Sequence, residues 1–254
     1  MNLFDDIYNK RAKKKAEDEF AAALDALGYP CRLLDGMDER GIIELYASEL
    51  EKGGEEGYFP VLAPYERILF ELIERNRAEN FDASELPSGA EVFAKRLEER
   101  ALGGEGAEKL ANGEGGFSAL ESFSLLFTEF TKSFRMCALI LLPTDKPWEA
   151  ALLLPFGGSG SCPAPREMAA MLKKWHESFG AVPAVFSGEA LEVYLPRSLD
   201  ERELREAAGE IAAFSGHNCD ESDEAILRFM TEARDKCVWR FSWMSQTNRN
   251  ELNK

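Results

Sequence analysis

The sequence predicts an α+β (mixed α/β) fold: a β-sheet with a hairpin in the C-terminal half, packed by amphipathic helices, and a smaller α/β part at the N-terminus. Two observations carry this prediction. Short apolar runs typical of strands alternate with longer segments whose apolar residues recur at helical spacing. Two of the runs, 184–186 and 191–195, flank Ser187-Gly188-Glu189, a pattern that favours a β-hairpin. Hairpins mixed with helices indicate an α+β arrangement.

The N-terminal part is predicted to alternate helices and strands. A charged helix over 5–27 ends at Gly28, because glycine commonly terminates helices. We expect Gly53-Gly54 to end the second helix in the same way. Ser88 and Glu91 form an S-x-x-E capping box at the start of another helix. The elements predicted here are strands at 29–34 and 58–62 and helices at 5–27, 41–52, 65–77 and 89–102.

A glycine-rich segment separates this part from the rest of the chain. Residues 103–116 contain six glycines and predict a linker or mobile loop. Asp200 and Glu203 form a second capping box. The elements predicted beyond the linker are helices at 118–133, 165–179, 200–214 and 221–235 and strands at 136–142, 150–154 and 238–243, besides the hairpin. The predicted division is an N-terminal α/β part at 1–102, the linker at 103–116, a C-terminal α+β domain at 117–246 and a frayed tail at 247–254.

Charge and cysteine content restrict the partners and the compartment. The net charge of −16 opposes binding to nucleic acid or to an anionic membrane, and it favours either a basic protein partner or simple solubility. No apolar run approaches the roughly 20 residues that span a bilayer, and the N-terminus lacks the apolar core of a secretory signal. The five cysteines are scattered and form no C-x-x-C pair, which indicates reduced thiols in a cytoplasmic protein.

Several motifs of the C-terminal half resemble those of one family. They are Trp148 followed by Leu154-Pro155-Phe156-Gly157-Gly158, Cys162-Pro163, the helix end Trp175-His176-Glu177-Ser178-Phe179-Gly180-Ala181, the hairpin Ser187-Gly188-Glu189-Ala190-Leu191-Glu192 and the aromatic strand at 238–243. This set resembles the mainly bacterial domain of unknown function 4253 over about 100 residues. The upstream segment Gly57-Tyr58-Phe59-Pro60-Val61-Leu62 is also similar to one in that family. The resemblance implies the fold but no catalytic residues, because the family has no established activity.

The turn at 157–162 is a candidate ligand-binding site. Gly157, Gly158, Ser159 and Ser161 lie between an apolar run and a helix start, where backbone N–H groups can bind an anion. Trp148, just upstream, joins them as a candidate. Many relatives have Trp-Asn after the paired glycines, where this chain has Ser159-Gly160-Ser161. The alternative is a tight turn, because Pro163 and Pro165 lack the backbone donors that such a cradle needs.

Cys162 and His176 are the candidate catalytic residues. A thiol before a helix start favours the thiolate, and a histidine nearby would serve as its base. Alternatively, Cys162-Pro163 is a simple turn and His176 is a structural hydrogen-bonding residue.

No metal site and no cofactor are predicted. The segment His217-Asn218-Cys219-Asp220 contains ligand-type side chains, but no second cluster with suitable spacing accompanies it. Trp239 and Trp243 alternate with Arg240 and Ser242 on the last strand. They belong to the core if that strand is central, and they are candidates for a partner surface if it lies at an edge.

These observations lead to two hypotheses of function. The first is a non-catalytic binding or protein-interaction module, in one version an immunity-type protein that masks a basic partner. The second is a small enzyme or ligand-binding protein with a pocket at the 157–162 turn and His176.

Overall fold

The structure is a computed structural model that describes residues 3–77, 86–101, 116–158, 162–188, 190–215, 227 and 230–243. Their main feature is a seven-stranded sheet with the order β1-β4-β2-β5-β6-β7-β3, in which neighbouring strands are antiparallel except for β2 and β5. The strands are β1 (Cys31–Leu34), β2 (Phe59–Pro64), β3 (Gly116–Leu120), β4 (Cys137–Leu142), β5 (Val182–Phe186), β6 (Ala190–Tyr194) and β7 (Val238–Ser242). This architecture confirms the predicted α+β class.

Helices connect these strands and cover the sheet. They are α1 (Leu3–Leu27), α2 (Glu39–Glu56), α3 (Arg67–Arg77), α4 (Gly89–Ala101), α5 (Ala150–Leu153), α6 (Pro165–Phe179) and α7 (Glu201–Ser215). Both predicted capping boxes form: Ser88 and Glu91 exchange hydrogen bonds at the start of α4, and Asp200 and Glu203 do so at the start of α7. None of the described helices is both long and apolar enough to span a membrane.

An aromatic cluster joins one face of the sheet to α6 and α7. Trp175 of α6 is fully buried and stacks on Phe241 of β7 with 5.1 Å between ring centroids. Phe214 of α7 contacts the same ring edge-on. On the opposite face, Tyr46 of α2 packs against Tyr194 of β6. Both faces of the central strands are therefore covered, which accounts for their continuous apolar character.

Strands from both sides of the glycine-rich segment share this sheet. β2, from the N-terminal part, lies between β4 and β5, and β3 pairs with β7. Phe20 of α1 and Trp239 of β7 belong to the same hydrophobic core. The predicted linker at 103–116 and the tail at 247–254 lie outside the described residues, apart from Gly116 in β3.

The predicted helix at 118–133 is wrong. The chain forms β3, then a single turn of 3-10 helix at Ser124–Leu126, and then a turn closed by a bridge between Phe127 and Phe134. The hydroxyl groups of Thr128, Thr131 and Ser133 bond to one another and to the backbone, which offers the chain an alternative to the helix.

Two further predictions need correction. The predicted strand at 150–154 is the helix α5, which continues a 3-10 turn at Pro147–Glu149, because an apolar run this short fits either structure. α2 does not end at Gly53-Gly54 but at Gly57, which has a φ of 79°. Gly53 is needed for close packing instead, since a Cβ there would lie 2.4 Å from the carbonyl oxygen of Tyr58. Of the predicted helix at 221–235, the described residues 227 and 230–233 are helical, whereas 234 and 235 form a turn.

Candidate functional site

The predicted glycine-rich site is a tightly bonded turn. Gly157 and Gly158 both adopt positive φ angles, 94° and 70°. The N–H of Gly158 donates to the carbonyl oxygen of Pro163 over 2.9 Å, and the carbonyl oxygen of Gly157 accepts from the buried side chain of Asn76. The Gly158 donor that an anion cradle would use is thus already engaged. Ser159 and Ser161, the other candidates in this turn, lie outside the described residues.

Cys162 and His176 do not form a nucleophile–base pair in this structure. Cys162 precedes α6 and His176 lies in its last turn, so about 16 Å of helix, at about 1.5 Å per residue, separates the two ends. Burial raises the pKa of the Cys162 thiol to about 12, although Arg96 and the Gly158 N–H act in the opposite direction. The thiolate expected at a helix start is therefore disfavoured, because desolvation of the charge dominates.

His176 and Trp148 are held by structural contacts. The His176 ring packs at a tilt against Trp148 with 5.6 Å between centroids, and its Nδ1 is 3.2 Å from the carbonyl oxygen of Ala181. Lys173 contacts the same Trp148 ring. These contacts fix the end of α6 against the Pro147–Glu149 turn.

Trp239 and Trp243 are part of the core, not of a partner surface. Their relative exposures are 0% and 1%, because β7 lies between β6 and β3 instead of at an edge. The Trp243 indole N–H donates to the carbonyl oxygen of Phe214. The edge-strand alternative is therefore wrong.

A polar cleft that the sequence did not predict opens on the opposite face of the sheet. It has a volume of about 390 Å³, and its lining includes Glu66, Ser124, Arg135, Ser187 and Arg240. We call it the Arg240 cleft. Phe130, which is 95% exposed, lies at its rim in the turn that follows the Ser124–Leu126 segment. A cleft of this size fits a small molecule.

One wall of the Arg240 cleft is an interlocked set of charges. Glu66 accepts from Arg135 at 2.8 Å, from the Ser187 hydroxyl at 2.6 Å and from the Gly188 N–H at 2.9 Å. A Cβ at Gly188 would lie 2.3 Å from the Ile68 side chain, so only glycine fits this approach. The wall is rigid and its two charges offset each other.

The floor of the cleft is a chain of three side chains. Arg240 of β7 donates to the Ser124 hydroxyl oxygen at 2.9 Å, and that hydroxyl donates to Glu192 Oε1 at 2.7 Å. The Leu125 N–H donates to the same oxygen at 3.1 Å. Glu192 and Arg240 are also cross-strand partners on β6 and β7. Glu192 therefore lies directly beneath the residues that line the cleft.

Glu192 is a fully buried carboxyl group. Burial raises its pKa to about 7, against the opposing effects of Ser124, Leu125 and Arg240. Its Oε2 has no hydrogen-bond partner within the part of the chain that the structure describes. A carboxyl group in this setting changes its charge near neutral pH.

A charged residue inside each of two apolar strands was the sequence signal for this site. Glu192 interrupts the apolar run of β6 and Arg240 interrupts the aromatic run of β7, so each sits where a buried residue is expected. Their pairing depends on strand register, which one sequence does not reveal. No group of three His, Cys, Asp or Glu side chains suited to a metal ion occurs among the described residues.

The fold and the cleft define a mixed α+β domain with a polar cleft beside its hairpin. Residues 138–244 of the chain match the family described as Domain of unknown function (DUF4253), which confirms the resemblance seen in the motifs. The matched part includes the hairpin residues Ser187, Gly188 and Glu192, whereas β1, β2 and β3 lie outside it. No curated protein and no solved structure matches the chain.

Proposed function

We propose that the protein is a non-catalytic binding protein and that the Arg240 cleft is its binding site. The observation that carries this proposal is the half-buried guanidinium of Arg240 at the floor of a cleft of about 390 Å³. Small-molecule sites have this size and hold a few fixed polar groups. The bonds that fix Glu66 and Ser124 preorganise the cleft, so little ordering cost opposes binding.

The positions and protonation of the candidate catalytic residues favour a binding role without catalysis. Cys162 and His176 lie at opposite ends of α6, and the Cys162 thiol stays protonated at neutral pH because burial raises its pKa to about 12. The rival hypothesis of an enzyme centred on the 157–162 turn loses its nucleophile for these reasons.

The bacterial cytoplasm is the proposed location, and a basic protein is the proposed macromolecular partner. The net charge of −16 favours such a partner, as in an immunity-type masking role. Phe130, an exposed aromatic residue at the cleft rim, offers an anchor for it. Cys31, Cys137, Cys162 and Cys237 are free thiols, which suits a reducing compartment.

A thermal-shift screen tests the binding site. Anionic, cationic and neutral small molecules are screened against wild type, Ser242→Phe and Ser48→Phe. Ser242 lines the cleft, so phenylalanine there fills it without changing its charge, while Ser48 is an exposed residue of α2. We expect at least one compound to raise the Tm of wild type and Ser48→Phe but not of Ser242→Phe. If no compound depends on Ser242, the Arg240 cleft is not a small-molecule site.

Capture from native cells at low salt tests the partner. We expect one basic protein in near-equal amount, released at high salt and weakened by Phe130→Ala. Leu33→Ala is the matched control, because Leu33 is also an exposed apolar residue but lies on β1, at the edge of the sheet. Equal retention by both variants would remove Phe130 from the interface, and recovery of no partner would contradict the masking role.

A further inference from the structure

The floor of the Arg240 cleft couples a half-buried cation to a buried carboxyl group. Arg240 is half-buried and lines the cleft. Among the described residues, its hydrogen-bond partner is the Ser124 hydroxyl. Ser124 in turn bonds to Glu192, which has no exposed surface. Arg240 has further N–H donors, and because it lines the cleft a ligand there can reach it.

We propose that the Arg240 cleft binds a small molecule through a carboxylate or phosphate group, held by Arg240, and that binding takes up one proton at Glu192. This inference rests on the proposed binding function of the cleft. It specifies the chemical class of the ligand and the pH dependence of its affinity.

The choice of an anion follows from which charges in the cleft are already compensated. Both oxygens of Glu66 are occupied, by Arg135 and by the Ser187 and Gly188 donors, and Arg135 also donates to the carbonyl oxygen of Leu125. Arg240 instead keeps donors in a planar fork that matches a carboxylate or a phosphate. Glu129 also lines the cleft, so the case for an anion rests on Arg240 itself, whose hydrogen-bond partner among the described residues is the neutral Ser124 hydroxyl.

Proton uptake follows from the short separation of Arg240 and Glu192. Ser124 alone separates Arg240 from Glu192, with bonds of 2.9 Å and 2.7 Å. An anion on Arg240 would compete with the Glu192 carboxylate for the same cation and would repel it through a poorly solvated region. Both effects favour the neutral carboxyl group.

The proton has a defined place to bind. Oε1 of Glu192 already accepts from Ser124 and Leu125, whereas Oε2 is buried without a hydrogen-bond partner among the described residues. Protonation at Oε2 leaves both existing bonds intact.

Several elements bring charged or titratable groups near Glu192, and Glu129 also lines the cleft. Arg240 faces it from β7, and the Glu66–Arg135 ion pair lies across the cleft. Tyr194 shares its face of β6, and Tyr46 of α2 packs on Tyr194. Burial raises the pKa of both tyrosines above their ordinary value, so they remain neutral. β5 contributes the apolar Val185 as the cross-strand partner.

Titration calorimetry with succinate and with inorganic phosphate tests the inference on the full-length protein. Succinate is used for the pH series, because its charge changes little above pH 6.5. Phosphate is titrated at a single pH, which shows whether the site binds a carboxylate, a phosphate or both. We expect wild type to bind at least one of them, with affinity falling up to tenfold per pH unit above pH 7. The heat in buffers of different ionisation enthalpy should report uptake of up to about 0.8 proton per ligand at pH 7.5, because a carboxyl group with a pKa of about 7 is about three-quarters ionised there.

Substitutions at Arg240 and Glu192, with one control, locate the effect. Arg240→Gln should lose at least tenfold in affinity, whereas Arg32→Gln, the same change on β1 at the edge of the sheet, should lose nothing. Glu192→Gln should bind at every pH as wild type does at low pH, without proton uptake. If Arg240→Gln does not fold, Arg240→Lys replaces it. Lysine keeps the charge but lacks the planar guanidinium group, so this variant should also bind more weakly.

The outcomes separate this inference from the proposed function. A cleft that binds only cationic or neutral probes, blocked by Ser242→Phe, overturns the inference and leaves the binding function standing. Anion binding without proton uptake, or with the same pH dependence in Glu192→Gln, overturns the coupling. Absence of any Ser242-dependent ligand overturns both.

Discussion

Buried Glu192 makes the stability of the protein depend on pH, and Glu192→Gln tests this directly. Its pKa is raised from 4.5 to about 7, so the folded chain holds the proton more tightly than the unfolded chain. Below pH 4.5 both states are protonated, so Glu192 does not lower the free energy of unfolding. Between pH 4.5 and 7 the unfolded chain ionises first, so the free energy of unfolding falls as the pH rises. Above pH 7 the cost stays constant.

The magnitude follows from the pKa change. A rise from 4.5 to about 7, at about 1.4 kcal/mol per pKa unit, gives a total cost of roughly 3.5 kcal/mol. About 2.5 kcal/mol of it develops between pH 5 and pH 8. Glutamine keeps the shape of the side chain and carries no charge at either pH. The variant should therefore be more stable than wild type at pH 8 and closer to it at pH 5.

Urea unfolding at pH 5 and pH 8 measures this effect. Other titrating groups are common to both proteins, so they cancel in the difference between wild type and variant. Glu44→Gln is the control, since Glu44 is an exposed residue of α2 with 62% of its side chain accessible. If Glu192→Gln retains the pH dependence of wild type, Glu192 ionises as in water and the buried floor of the cleft is wrongly assigned.

The remaining predictions concern the sheet, the aromatic core and the thiols. A fragment of residues 117–254 lacks β2, the strand that lies between β4 and β5. Urea unfolding of this fragment, followed by far-UV circular dichroism, should show no cooperative transition, whereas the full chain should unfold cooperatively. Trp175→Ala should lower the free energy of unfolding by about 3–5 kcal/mol, because a fully buried ring is removed, and Lys173→Ala on the exposed side of α6 should change it by under about 1 kcal/mol. Iodoacetamide labelling at pH 7.5, followed by mass spectrometry, should modify the exposed Cys31 well before Cys162, because burial raises the pKa of the Cys162 thiol to about 12. Faster labelling of Cys162 would restore it as a nucleophile candidate.

Local sequence patterns predicted much of the fold because their partners lie within a few residues. The capping boxes at Ser88 and Asp200 needed only a glutamate three residues on, and both form. The helix at 165–179 has the predicted bounds, since Pro165 starts it and Gly180, with a φ of 71°, ends it.

The errors arose where distant residues decide the local structure. Residues 116–120 form a strand because β7, more than 100 residues later, provides the hydrogen bonds and Phe241 packs on Phe117. The error at 150–154 has a local cause instead: the run has the composition of a strand, but it continues the preceding Pro147–Glu149 turn as a helix. Intrinsic propensity is a weak guide when tertiary contacts oppose it.

The candidate site was missed for the same reason. Glu192 and Arg240 are 48 residues apart, and they meet only through the register of β6 and β7. Ser124 joins them because the predicted helix at 118–133 is replaced by a strand and a turn. A charged residue in the middle of each apolar strand was visible in the sequence, but its partner was not.

Titration calorimetry of succinate and of inorganic phosphate into wild type and Ser242→Phe at pH 6.5 tests the assignment of the binding site most directly. We expect saturable one-to-one binding of at least one of the two anions to wild type and none to the variant, in which the Arg240 cleft is filled. Equal binding to both proteins would place the anion site elsewhere on the chain and would contradict the assignment of the Arg240 cleft.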